Sequence, residues 1–250
     1  MSDPSPTVAI ITGASSGIGR ATSITLSKVG WSVALFARRE EELRSTAKEC
    51  PNPTLIIAGN VTNEADVKRL FEETVKTFGR LDLLFNNAGI ATSGTPIEDL
   101  PLEKFQAVLN VNVVGTFLCT KEAVRQYKKQ NPQGGRIINN GSISAHTPRP
   151  NSIPYTTSKH AVTGITKSTA LDGRAFDISV TQIDIGNALT KMAKPLGMGA
   201  TQADGVVRPE ATMDVEHVAN AIVHIAGLPN SVQVLEMNIM ATKMPFVGRG

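Results

Sequence analysis

Short, continuously apolar runs alternate along this chain with longer amphipathic stretches, and that alternation narrows the possible folds more than any other feature. The apolar runs fall at 8–11, 32–36, 54–58, 81–85, 136–139, 178–183 and 232–237. They are apolar throughout instead of at every second residue, the pattern of strands covered on both faces. The stretches at 17–28, 40–50, 64–78, 102–129, 155–176 and 215–226 carry the 3.6-residue period of helices. In the last of these, Val215, Val218, Ala219, Ile222 and Ile225 share one face. Strand and helix in this strict alternation predict an α/β fold, a doubly wound parallel sheet of about seven strands with right-handed crossovers and helices on both faces. No linker rich in Pro, Gly or Ser divides the chain and no internal repeat is present, so 1–250 reads as a single domain with a flexible tail at 1–6. The least regular segment, 190–209, is expected to form a lid over a binding site.

Composition removes several classes of function. Apolar residues make up 41% of the chain and charged residues 19%, which suits one domain with a substantial core. The net charge of +3 is small, and no Lys/Arg-rich run is present, so nucleic acid is not an expected partner. Cys50 and Cys119 form no CxxC pair, which argues against a disulfide scaffold or a zinc ribbon and fits a reducing compartment. His146, His160, His217 and His224 form no HExxH or HxH pattern, so no metal is expected. No apolar run reaches membrane-spanning length, and 1–6 lacks the basic segment of a secretory leader. The expected location is the cytoplasm, without membrane association.

After the first apolar run the chain reads Thr12-Gly13-Ala14-Ser15-Ser16-Gly17-Ile18-Gly19 and then enters a helical stretch. Gly13 allows a tight turn, Gly17 lets the backbone approach a pyrophosphate, and Gly19 lets helix and strand pack closely. Ser15, Ser16 and Ile18 complete the segment at a helix N-terminus, where free N–H groups and the helix dipole favour phosphate. The spacing is GxxxGxG, not the general Rossmann GxGxxG, but its place between strand and helix supports a dinucleotide site. The second run ends Phe36-Ala37-Arg38-Arg39, with no acid before Glu40. An acid there would bind the ribose hydroxyls of NAD, whereas Arg38 and Arg39 suit the 2′-phosphate of NADP(H). The alternative is that both arginines are solvated and pair with the glutamates at 40–42.

Tyr155 and Lys159 lie four residues apart and therefore on one face of a helix. An ammonium beside a phenol favours the phenolate, and such a Tyr can pass a proton to or from a substrate oxygen. Pro154 suits the first turn of the helix that carries them.

Taken in order, 12–19, Asn86-Asn87-Ala88-Gly89, Asn112, Ser142 and Tyr155 with Lys159 closely resemble the short-chain dehydrogenases/reductases, from Val8 to about Gly250. The resemblance implies a Rossmann-type domain and an NADP-dependent oxidoreductase. It implies reversible reduction of a carbonyl to a secondary alcohol, with Tyr155 as the general acid in reduction and the base in oxidation. Lys159 would hold the nicotinamide ribose and favour the Tyr155 phenolate. Ser142 would hydrogen-bond the substrate oxygen, and Asn112 would anchor a water that links Lys159 to solvent. Asn86, Asn87, Ala88 and Gly89 would stabilise the central sheet and line the adenosine ribose. The resemblance also implies a homotetramer or homodimer, built in part through the apolar tail 240–247, which would lie exposed on a monomer.

Two positions depart from the family's usual pattern. Asn60-Val61 stands where Asp-Val is usual, and the amide oxygen of Asn60 can still accept from adenine. Ile185 stands where the family carries Pro before Gly186, which removes a fixed φ at the lid's entry. Gly186, Ala188 and Thr190 remain candidates to meet the nicotinamide carboxamide. Ser144, His146, Asn151, Asn187 and Met192 are the expected substrate pocket, with Asp184 and Asn187 alternatively serving turn chemistry. With Lys191 and Lys194 the only cations near the lid, a small or medium neutral ketone is the expected substrate. A polyol or sugar alcohol dehydrogenase, a 3-oxoacyl-thioester reductase and a non-redox NADP-binding protein are the competing readings.

Overall fold

The computed structural model describes residues 7–92, 94–190 and 198–247. The expected tail at 1–6 and the candidate pocket residue Met192 lie outside them. In chain order the elements begin β1 (Val8–Thr12), α1 (Gly17–Lys28), β2 (Ser32–Ala37), α2 (Glu40–Ala47), β3 (Thr54–Ala58), α3 (Glu64–Phe78) and β4 (Leu83–Asn86). They continue with α4 (Leu102–Leu109), α5 (Gly115–Lys129), β5 (Gly135–Asn140), α6 (Ile153–Gly173) and β6 (Ile178–Ile185). A two-residue hairpin, β7 (Ala200–Thr201) and β8 (Val207–Arg208), precedes α7 (Val215–Ala226) and β9 (Glu236–Ile239).

The main sheet has seven strands in the order β3-β2-β1-β4-β5-β6-β9, and every neighbouring pair is parallel. β1 explains why the strands read as unbroken apolar runs. Val8 and Ile10 enter the apolar layer beneath α3, α5 and α6, while Ala9 and Ile11 enter the layer beneath α1, α2 and α7. The chain leaves β3 at one edge and returns beside β1, so β1 and β4 flank a topological switch point. Ligands of such sheets bind outside the carboxyl ends of the strands at that point.

Besides shifts of a few residues at other element ends, three departures from the expected elements have physical reasons. The run at 232–237 does not start a strand at Val232, because its N–H closes a turn onto Pro229 and its carbonyl accepts from the Arg136 guanidinium. The expected helix over 102–129 is divided by a π-helical turn at Asn110–Val114. Part of the expected irregular lid folds as the β7–β8 hairpin. The tail also corrects an expectation. Met244 is buried and packs on Gly186, Phe246 packs on His146, and only Val247 of that segment is a strongly exposed large apolar residue, at 95%.

Candidate active site

The carboxyl ends of β1 and β4 are tied by Thr12 and Asn87. Thr12 Oγ1 accepts the N–H groups of Asn87 at 2.9 Å and Ala88 at 3.0 Å, and the Asn87 amide donates to the Thr12 carbonyl at 2.9 Å. The chain then turns at Gly13, whose φ of 68° lies in the left-handed region. A Cβ on Gly19 would stand 2.4 Å from the Gly13 carbonyl oxygen, so α1 reaches this turn only because residue 19 has no side chain. Ser16 precedes α1 in an extended conformation and makes no side-chain cap, leaving N–H groups of the first turn open to an anion. Ser15 is buried, and the Ile18 side chain joins the core while its backbone belongs to the open turn. The nearest neighbour of a Cβ at Gly17 would be the Thr190 methyl at 3.3 Å, so Thr190 stands against the cradle.

Arg38 and Arg39 follow β2 and are exposed. Arg39 pairs loosely with Glu42 at 3.5 Å, whereas Arg38 makes no ion pair among the described residues. After β3, Asn60 Oδ1 accepts the Thr62 N–H at 3.1 Å, and its own N–H bonds Asp66, holding that carboxyl below its usual range. Val61 is buried against Gly115.

Lys159 and Tyr155 meet at the end of β5. The buried Lys159 ammonium donates to the Asn140 carbonyl at 2.7 Å and lies 5.3 Å from the centroid of the half-buried Tyr155 ring. The Asn140 amide in turn donates to Asn87 at 2.9 Å. A continuous polar path therefore runs from the Gly-rich turn to the Tyr155 helix.

The π-helical turn carries Asn112. Its oxygen accepts the Ile90 N–H at 2.9 Å, and its amide donates to the Ile90 carbonyl and to Ser158 Oγ, both at 3.0 Å. Ser158 then donates to the Tyr155 carbonyl at 2.7 Å. The Asn112 side chain thus holds the segment after Gly89 against α6. A π turn within an α-helix is frequently found at a functional site.

Ser142 begins the turn after β5. Its Oγ accepts the Ser144 N–H at 3.1 Å, which leaves the hydroxyl proton free to donate. Its backbone N–H donates to Asp184 Oδ1 at 2.8 Å, and His146 Nε2 meets Asp184 Oδ2 at 2.7 Å.

The remaining pocket candidates separate. Ser144 is buried beside Ser142, and Asn151 is exposed in a left-handed conformation with φ 56°. Asn187 turns inward: its amide donates to Glu210 at 2.8 Å and its oxygen accepts from Arg149 at 3.3 Å. Gln202 also donates to Glu210, at 2.9 Å. Burial pushes the Glu210 carboxyl up, but the bonds from Arg149, Gln202 and Asn187 outweigh it and hold the group at about 2. Gly186 lies against Met240 and Met244, and the Ala188 N–H closes onto the Gly186 carbonyl at 2.8 Å. Ile185 continues β6 and pairs with Ile239, keeping the strand regular where Pro is usual.

Sequence reasoning missed Arg149, Gln202, Glu210, Met244 and Phe246. The one local signal was a charge set among prolines, Pro148-Arg149-Pro150 and Pro209-Glu210. Among the described residues no group of three His, Cys, Asp or Glu side chains could hold a metal ion, and no helix is long and apolar enough to cross a membrane.

A family model described as short chain dehydrogenase matches residues 7–200. Glucose 1-dehydrogenase of Gluconobacter oxydans is 37% identical over 185 residues, 72% of this chain and 69% of that protein. Sulfoacetaldehyde reductase 2 of Chromohalobacter salexigens is 31% identical over 243 residues, 96% of either chain. A solved 3-ketoacyl-(acyl-carrier-protein) reductase from Brucella melitensis, complexed with NADH, superposes with a TM-score of 0.85 at 25% identity, covering 95% of this chain and 98% of that one.

Proposed function

The chain belongs to the short-chain dehydrogenase family, and from that premise we propose that it reduces a small or medium ketone to a secondary alcohol, reversibly, with NADPH. The observation that carries this reading is the Lys159 ammonium, fixed on the Asn140 carbonyl and 5.3 Å from the Tyr155 ring. A bound nicotinamide supplies the hydride, and the protein supplies position, polarity and the proton.

The residues present fit such a cofactor. The turn at Gly13 and Gly19 leaves backbone close to the open helix terminus, as a pyrophosphate requires. Asn87 and Ala88 border the same turn and Thr190 stands against Gly17, and Gly89, Gly186 and Ala188 would complete the lining. The Arg38 guanidinium, which makes no ion pair among the described residues, seconded by Arg39, suits a 2′-phosphate. Asn60 and Val61 would lie toward the adenine.

During reduction negative charge grows on the carbonyl oxygen. Ser142 donates its free hydroxyl proton to that oxygen, and the bond that Ser142 Oγ accepts from the Ser144 N–H sharpens its polarity. Tyr155 gives the proton that completes the alcohol, and Lys159 stabilises the phenolate left behind. Asn112 positions this helix through Ser158 and Ile90.

Large apolar side chains stand exposed on the helices of one face, Leu102 at 65%, Phe117 at 52% and Leu171 at 63%, and support a homotetramer or homodimer. We place the protein in the cytoplasm, on the strength of its two unpaired cysteines. The reading is tested by cofactor oxidation against a panel of ketones, diketones and keto esters. Turnover that disappears in Tyr155→Phe supports it. Tight NADPH binding with no carbonyl turned over rejects it in favour of a non-redox role.

A further inference from the structure

Asp184 is a fully buried carboxylate with no lysine or arginine partner among the described residues. It accepts the Ser142 N–H on Oδ1, and the Gln182 amide donates toward both oxygens at 2.9 and 3.1 Å. Its other oxygen meets His146 Nε2 at 2.7 Å. Room for this carboxylate is built into the backbone, since a Cβ on Gly141 would stand 2.0 Å from Oδ1. One carboxylate therefore ties the backbone of Ser142 and the ring of His146 together.

The chemistry of His146 follows from that contact. A carboxylate that already accepts from two N–H donors accepts again from Nε2–H, which selects the Nε2–H tautomer of the imidazole. The lone pair then lies on Nδ1, which has no hydrogen-bond partner among the described residues. The Phe246 ring meets the imidazole edge-on at 6.3 Å between centroids and holds its plane. The side chain remains 36% exposed, in contrast to the fully buried acid behind it. A ring oriented by a buried carboxylate, packed by an aromatic edge and left with one free acceptor is built to receive a hydroxyl donor.

We propose that His146 is a specificity-determining residue that accepts a hydrogen bond from a hydroxyl on the carbon next to the reacting carbonyl, with Asp184 as its positioning residue. The substrate class is then an α-hydroxy ketone in reduction and a vicinal diol in oxidation. The inference rests on the reductase reading above and narrows it.

The test compares acetoin with butan-2-one in reduction, and butane-2,3-diol with butan-2-ol in oxidation, using both NADPH and NADH. The members of each pair differ by one hydroxyl. In the wild-type enzyme kcat/KM for the hydroxylated member should exceed that for its partner about 10- to 100-fold, because a site built for a hydroxyl discriminates against its loss. In His146→Leu that ratio should fall at least about tenfold, chiefly through KM, and His146→Asn, whose amide oxygen can stand near the Nδ1 position, should recover part of it. A wild-type ratio near one overturns the inference and leaves the reductase reading standing, as does a ratio unchanged in His146→Leu. Cofactor binding with no cofactor oxidation by any ketone, and no cofactor reduction by either alcohol, overturns both. A wild-type ratio near one overturns the inference even if a variant fails to fold.

Discussion

Arg149 and Glu210 face each other through two parallel bonds of 2.5 Å, although 61 residues of chain separate them. The Glu210 side chain is 1% exposed and that of Arg149 17%, so this is a buried fork-to-fork pair. It pins the segment after the β7–β8 hairpin onto the loop that leads into the Tyr155 helix.

Removing one partner strands the other. Glu210→Ala should cost roughly 3–5 kcal/mol if it is felt globally, because the Arg149 guanidinium loses its buried counter-charge. Where the hairpin can open on its own, the loss appears first as faster amide exchange at 200–213 and a raised KM. Denaturant unfolding beside hydrogen exchange separates the two; wild-type behaviour in both would show that the pair holds nothing.

The same pair sets an acid limit. The folded Glu210 carboxyl sits at about 2, below its usual 4.5. Its stabilisation is therefore complete above the unfolded value and lost as pH falls toward about 2. Denaturant midpoints measured between pH 6 and pH 3 should fall less steeply for Glu210→Gln than for wild type. Parallel slopes would refute the assignment.

Tyr155→Phe removes the proton donor but keeps the ring beside Lys159. Its kcat should drop by about 10²–10⁴-fold. NADPH binding, followed by the cofactor's fluorescence, should persist, and that separates lost chemistry from lost fold.

Cofactor choice turns on Arg38. Arg38→Ser should raise the KM for NADPH by about tenfold or more, the worth of a charge-assisted hydrogen bond. The KM for NADH should move little. Equal kcat/KM for the two cofactors in the wild type would refute the NADP preference.

Asn112→Ala would leave the Ile90 N–H and Ser158 without their partner. A loss of about 1–3 kcal/mol in stability is expected from the unsatisfied groups. Ser158→Ala should cost less, because only one of the three Asn112 bonds is removed.

The sheet was legible because strands buried on both faces leave unbroken apolar runs, and the α1, α3 and α7 bounds followed from period and flanking turns. Gly13, Gly19, Tyr155 and Lys159 were legible for a related reason, since each group of them is a local pattern. What escaped was non-local or a matter of a single backbone bond. The π turn at Asn110–Val114 leaves the helical period nearly intact, so 102–129 looked uniform. Nothing near Arg149 announces Glu210, and nothing near His146 announces Asp184. Met244 and Phe246 read as tail because apolar residues near a terminus suit an interface as readily as a wall. Asn187 carried turn chemistry and pocket chemistry with equal plausibility, and only the contacts of Arg149 and Glu210 show its burial.

The order of the walls along the chain has a consequence for synthesis. The Gly-rich turn, Asn87 and Lys159 all precede residue 160, whereas Met244 and Phe246, which close on Gly186 and His146, come some eighty residues later. A nascent chain can thus present the Gly-rich turn, Asn87 and Lys159, though not yet Thr190, while the side of the cleft at His146 still stands open.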